Sequence, residues 1–252
     1  NEAHEDESQA HQQRQTREGA TTALQQQLHR ANGVPTRRIV LEARGLRYVY
    51  PSTGREALRG VDAVVHDGDI VAVCGPNGSG KTTLGKLAAG LLPAPPEALR
   101  LLGKPAASYA VQELASLVGY VFQRPERQFV ADTVLEECAF GLRVRRGGPP
   151  HADDTAQAAR LLTDLGLDDA LAAHPRSLPI AEQRLLNLAA ALILGPVLLI
   201  LDEPTAGLDY NAADRLMRLV AGFSAEGGAA LVITHDEHVI RRWTSSLLTI
   251  GA

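Results

Sequence analysis

Apolar positions are almost absent from residues 1–36 and become regular from Arg38 onward. The early segment is rich in Gln, Glu, His and Arg, too polar to bury the surface that folding alone requires. It is expected to be a disordered polar tail or an interdomain linker, with at most a short helix over 17–28. Residue 1 is Asn rather than Met, which suggests a processed protein or the excised part of a longer one, with this segment as an interdomain linker. From Arg38 the pattern turns strand-like at 39–43, 46–50 and 61–66, with turn signals at 51–54 and 67–68. Apolar runs at 69–74, 99–102, 118–122, 197–201, 229–234 and 247–250 read as further strands. Helical spacing appears over 81–91, 110–116, 132–145, 153–165, 179–194, 211–225 and 236–243. Antiparallel strands followed by β-α alternation imply an α/β fold: a mostly parallel sheet with flanking helices and an N-terminal antiparallel β subdomain. The helices over 132–194 read as an insertion between core strands. The folded part is therefore placed at 37–252, with a helical subdomain at about 124–194.

Composition narrows the setting. The 252 residues carry a net charge of −4 without a dense basic run, so no nucleic-acid partner is expected. Two cysteines, Cys74 and Cys138, lie in apolar or helical segments, which speaks against a disulfide framework. The most apolar stretch, 185–201, contains Asn187 and is interrupted by Gly195 and Pro196. It falls short of the ~20 residues that a membrane helix needs.

Two motifs carry chemistry. Residues 75–82 read Gly-Pro-Asn-Gly-Ser-Gly-Lys-Thr, a complete G-x-x-x-x-G-K-[ST] phosphate-binding loop between a strand and a helix. Gly75, Gly78 and Gly80 let successive backbone N–H groups face an anion, at a helix N-terminus. Asn77, Ser79 and the following Thr83 join them as candidate nucleotide contacts. Lys81 supplies a charge at the β/γ-phosphates, and Thr82 is placed to ligate Mg²⁺. The core is thus expected to be that of a P-loop NTPase, which binds a nucleoside triphosphate with Mg²⁺. The second motif is the apolar strand 197–201 followed by Asp202 and Glu203. A strand that ends in acids puts carboxylates at the ligand-binding edge of a parallel sheet. Asp202 suits the Mg²⁺ shell, and Glu203 suits the polarising of an attacking water.

With Asp-Glu-Pro-Thr-Ala-Gly-Leu-Asp over 202–209, the sequence from about Arg38 to its end resembles the ATPase domains of ABC transporters. The resemblance implies that Tyr50, about 25 positions before the loop, stacks on adenine. It makes Gln123 the glutamine that senses Mg²⁺ and the coupling helix of an integral membrane subunit. It makes Asp209 the aspartate that crosses the dimer interface and His235 the γ-phosphate histidine. Phe122-Gln-Arg-Pro-Glu-Arg-Gln128, continuing through Val134 to Ala139-Phe140-Gly141, is similar to the ATPases of energy-coupling-factor (ECF) vitamin and metal importers. The resemblance therefore implies ATP hydrolysis coupled to import, at the cytoplasmic face of a membrane.

One family motif is missing. The Leu-Ser-Gly-Gly-Gln signature, with its register set from Pro175, Gln183 and Arg184, is replaced by Ser177, Leu178, Pro179, Ile180 and Ala181. In the family this signature completes the ATP site of the opposite subunit. Leu178 has no hydroxyl, Pro179 has no N–H, and Ile180 is bulky where backbone must approach phosphate. The expected assembly is an unequal pair, this chain with a second nucleotide-binding domain of intact signature, possibly fused upstream through 1–36. Two other classes fit less well. Soluble ABC ATPases of DNA repair or translation carry coiled-coil insertions or basic arms that this chain lacks. For a regulatory ATP-binding module that hydrolyses slowly or not at all, Glu203 and His235 argue against and the segment 177–181 argues for.

Overall fold

A computed structural model describes residues 37–251 except 125, 127, 149 and 150. The chain divides into two units, 1–38 and 39–252, and all regular structure named below belongs to the second. The tail or linker expected over 1–36, with its short helix, lies outside the described residues, as do Pro125 and Arg127 of the 122–128 segment.

The elements run β1 (Ile39–Val49), β2 (Glu56–His66), β3 (Ile70–Cys74), α1 (Lys81–Ala88), β4 (Leu99–Leu101), β5 (Lys104–Pro105), α2 (Val111–Leu117) and β6 (Val118–Val121). There follow α3 (Val134–Arg146), α4 (Ala152–Asp164), α5 (Ile180–Leu192), β7 (Leu198–Asp202), α6 (Tyr210–Ala225), β8 (Ala229–Ile233), α7 (Glu237–Trp243) and β9 (Ser246–Thr249). The first sheet is antiparallel in the order β2-β1-β4-β5, and the second is parallel in the order β6-β7-β8-β3-β9. This is the α/β class expected from the pattern.

Three details depart from it. The strands expected at 39–43 and 46–50 are one strand, because the polar Arg44-Gly45 break is absorbed as a register shift rather than a turn. There the Gly45 N–H donates to Asp62 at 2.7 Å. Strand β2 starts five residues earlier than its apolar run, its first half pairing with β1 across a largely solvated surface. The two-residue β5 carries too little pattern to be read.

Strand β7 shows why the core strands look uniformly apolar. Leu198, Leu199, Ile200 and Leu201 are all fully buried. Leu199 and Leu201 pack with α3, α4, α5 and α6, whereas Leu198 and Ile200 pack with α1 and the antiparallel sheet. A parallel strand covered on both faces shows no alternation. Each such side chain contributes about 1.5–3 kcal/mol by leaving water.

Helix α3 is bounded by local chemistry. Thr133 accepts from the Glu136 N–H at its start, and Gly147 ends it in the left-handed region. Its buried Glu137 accepts the N–H groups of Val130 and Ala131, both at 2.8 Å, and so pins the loop that descends from Gln123. None of the described helices is long and apolar enough to cross a membrane.

Both cysteines are free thiols. Cys138 is fully buried on α3, and burial pushes its thiol up to about 12, with Glu137 adding to the effect. A thiol held neutral below that value is a poor nucleophile. Alkylation followed by mass spectrometry at about pH 8 should leave Cys138 unmodified until denaturant unfolds the chain.

Candidate functional site

Strand register gathers the predicted residues. Val121 lies opposite Leu201, Leu201 opposite Val232, and Val73 and Asp202 both opposite Ile233. Four strands therefore end level, and the next residues of each enter one edge of the sheet. Gly75 follows β3, Gln123 follows β6, Asp202 and Glu203 close β7, and His235 follows β8. A cleft of about 450 Å³ at this edge is lined by Tyr50, Asn77, Gly78, Gly80, Lys81, Thr82, Thr83, Gln123, Asp202 and Glu203. Ser52, Thr53 and Arg55, from the turn after β1, line it too.

The loop from Gly75 to Thr82 wraps tightly because two of its glycines have no substitute. Gly75 has φ +146 and Gly80 has φ +104. A Cβ at Gly75 would run into the Ile250 carbonyl, and one at Gly80 into the Ala57 carbonyl. Lys81 folds back over the loop, its Nζ donating to the carbonyls of Gly75 at 2.8 Å and Pro76 at 3.0 Å. The Ser79 hydroxyl is buried with no hydrogen-bond partner among the described residues. The Tyr50 hydroxyl is 3.0 Å from that of Thr83, and its ring meets Tyr48 edge-on at 5.2 Å.

Thr82 donates to Asp202 Oδ2 at 3.0 Å. Tyr120, on neighbouring β6, donates to the same oxygen at 3.3 Å. Burial holds the Asp202 carboxyl above its ordinary range; the Thr82 and Tyr120 hydrogen bonds oppose this, and the Glu203 charge adds to it. Among the described residues no three His, Cys, Asp or Glu side chains group as a metal cage. One hydroxyl and one carboxylate suit Mg²⁺, which takes few protein ligands and completes its shell with phosphate oxygens and water.

Glu203 is one of two described non-glycine residues with positive φ, at +50°. Its N–H donates to the Ile233 carbonyl at 2.8 Å, which ties that backbone conformation to the strand end. Its Oε1 is 2.9 Å from His235 Nδ1, and the His235 ring is largely exposed. The residue that follows His235 is fixed on both sides: Thr205 donates to Asp236 at 3.2 Å, and Asp236 caps α7. Asp209 stands apart from the cleft, exposed, capping α6 through the Ala212 N–H at 2.8 Å.

The segment 177–181 lies elsewhere, at the start of α5. The Ser177 hydroxyl donates to the His174 carbonyl at 2.7 Å, Leu178 is buried, Pro179 is the N-cap and Ile180 is exposed. Glu182 adds an acid to the first turn.

Pattern reading missed several contacts here. Tyr120, Thr205 and Asp236 carried one usable signal, since a hydroxyl or acid beside a buried strand must find a partner. Arg55, which donates to the Gly78 carbonyl at 3.2 Å, carried none.

Two stability measurements follow. A left-handed non-glycine residue costs about 1–3 kcal/mol. Glu203→Gly should therefore unfold at higher denaturant than Glu203→Ala, by about 1 kcal/mol; equal midpoints would remove the strain. For Asp202, a raised folded-state pKa means that folding favours the neutral acid. Its stabilising contribution is present below the unfolded pKa and is lost as pH rises through the folded value. Asp202→Asn should accordingly be the more stable protein in chelator-treated buffer at about pH 7.5, the gap closing toward about pH 4.

Comparison with known proteins places this architecture. The family model for the ABC transporter matches residues 58–206, more than half of the chain. The energy-coupling factor transporter ATP-binding protein EcfA of Methanothermobacter thermautotrophicus is 34% identical over 217 residues, covering 84% of this chain and 68% of that protein. A Bacillus subtilis protein named for HMP/thiamine import, YkoD, is 33% identical over 217 residues, or 86% of this chain. The chain spans only 38% of YkoD, and 36% of an ABC transporter ATP-binding protein of Caldanaerobacter subterraneus that is 35% identical to it. Among solved structures, cbiO1 of Clostridium perfringens, part of the ABC transporter complex cbiONQ, superposes with a TM-score of 0.73 at 26% identity, covering 84% of this chain and 85% of that one. The ADP- and Pi-bound dimer of the cassette MJ0796 has the same fold, with a TM-score of 0.73 at 22% identity over 84% of this chain and 97% of that one. This chain belongs to the ABC transporter family and has the fold of its ATP-binding domains.

Proposed function

We propose that the chain binds and hydrolyses ATP as one half of an asymmetric nucleotide-binding pair in an ECF-type importer of vitamins or transition metals. The observation that carries this is the contrast between its two functional ends. The cleft combines a lysine, a hydroxyl-carboxylate pair and a glutamate bonded to a histidine. The start of α5 offers a buried leucine, a proline and an acid. The first end suits a triphosphate, while the second has no free hydroxyl, has no N–H at Pro179 and carries a negative charge where a partner's γ-phosphate would approach.

When bound, ATP with Mg²⁺ supplies the phosphoryl group and its leaving oxygen. The loop N–H groups and Lys81 would cradle the phosphates, with Thr82 and Asp202 facing the cation. Tyr50 would stack on the base, and Gln123 would line the cation side. Glu203 would orient and deprotonate the attacking water, and the histidine would hold Glu203 and meet the γ-phosphate. Domain limits of 37–252, with a helical part at about 124–194 and a tail or linker over 1–36, belong to the same proposal. So do an integral membrane partner beside Gln123 and a site at the cytoplasmic face of the membrane. The name of YkoD, for HMP/thiamine import, supports the importer class, and that of EcfA supports the energy-coupling-factor type.

The chain alone should turn over ATP slowly, because a homodimer would pair sound loops with defective α5 ends. Loss of a single preorganised donor typically costs about 10²–10³ in rate. Adding an ABC domain with an intact signature should raise turnover at least about tenfold, and high activity in the homodimer would refute the asymmetry. Glu203→Gln should keep ATP binding, measured by fluorescent-nucleotide titration, while cutting kcat by about 10² or more.

A further inference from the structure

Arg184 stands on the second turn of α5 and is 4% exposed. A guanidinium has five N–H donors and keeps its charge, so burying one is costly unless those donors are met. One of them is: Nη2 donates at 3.1 Å to the Ala206 carbonyl, within the turn that joins Glu203 to Asp209. Nε and Nη1 are buried without a hydrogen-bond partner among the described residues. Two carboxylates act on the group, Glu126 in the loop that follows Gln123, and Glu203 itself. Burial draws down the proton affinity of Arg184, and both acids work against that.

A buried cation with three of its five N–H groups unused is a poor device for stability. Replacing such a charge with an apolar side chain of similar shape is often neutral or stabilising. The packing of α5 rests on Leu185, Leu186, Leu188 and Ala189 in any case. The geometry points to Arg184 as a positioning residue for the proposed hydrolysis. It ties the start of α5 to the 203–209 turn through Ala206, whose own N–H donates to the Glu203 carbonyl at 3.2 Å, and its charge is attracted by Glu126 and Glu203. The loop after Gln123, helix α5 and the glutamate are thereby coupled. Arg184 acts through Glu203 and does not touch nucleotide. This inference rests on the ATPase reading above.

A double-mutant cycle on the whole chain tests the coupling without any turnover. Arg184→Met, Glu203→Gln and the double variant are unfolded in denaturant beside the parent. Non-additivity of at least about threefold in the unfolding equilibrium constant is expected, and additivity within about twofold overturns the inference. Kinetics form the second arm, in whichever assembly gives parental turnover. Arg184→Met should lower kcat at least about tenfold while leaving KM for ATP within about threefold and thermal stability equal or higher. Arg184→Lys keeps the charge but not the fork, and should recover part of kcat. A kcat within twofold of the parent after correction for folded fraction would also overturn it. Absence of parental turnover in every assembly would defeat the ATPase reading, and the denaturation cycle would still decide the coupling.

Discussion

The hydrogen-bond register of one parallel strand carries everything else. Strand β7 is bonded on both sides, to β6 and β8, and its apolar residues are buried on both faces. A shift of one residue would exchange the two packed faces and move Asp202 away from Thr82. Because β6, β7, β8 and β3 end level, side chains from positions 75 to 235 meet at one edge. The cleft is thus a consequence of sheet pairing, and the loops need only carry the chemistry the last few ångströms.

At that edge local preferences are broken repeatedly. Glu203 holds a left-handed backbone, Asp202 is buried with its carboxyl pushed toward neutrality, Arg184 is buried with spare donors, and Ser79 hides an unpaired hydroxyl. Each arrangement costs stability, and the surrounding core offsets it. Such conflicts belong where a bound ligand relieves them. In the proposed reading a cation beside Asp202 would relieve the cost of its burial, whereas Arg184 acts through Glu203 and not on the nucleotide.

The two functional ends of the domain have been treated differently. The phosphate loop keeps both glycines that its path requires, whereas the start of α5 has been filled with leucine, proline and isoleucine. Leu178 now belongs to the core and Ser177 to a local turn. That end has the packing of an ordinary helix start, and on this rests the proposal that a partner domain supplies the other half of the site.

Much was legible in the residues. The loop glycines, Lys81, Thr82 and the apolar run into Asp202 stand out because each is a particular residue type at a fixed spacing, and the structure brings them to one edge of the sheet. The helices were legible because their apolar stripes recur at helical period. Strand order, the merging of two expected strands across Gly45, and the hydrogen bond from Thr205 to Asp236 were not. Nor was the burial of Arg184 against the Ala206 carbonyl. Spacing along a chain encodes what lies within a turn or two, since covalent geometry makes those neighbours unavoidable. Contacts between residues 20 to 160 positions apart depend on which strands pair and in what register, and that emerges when the faces pack together.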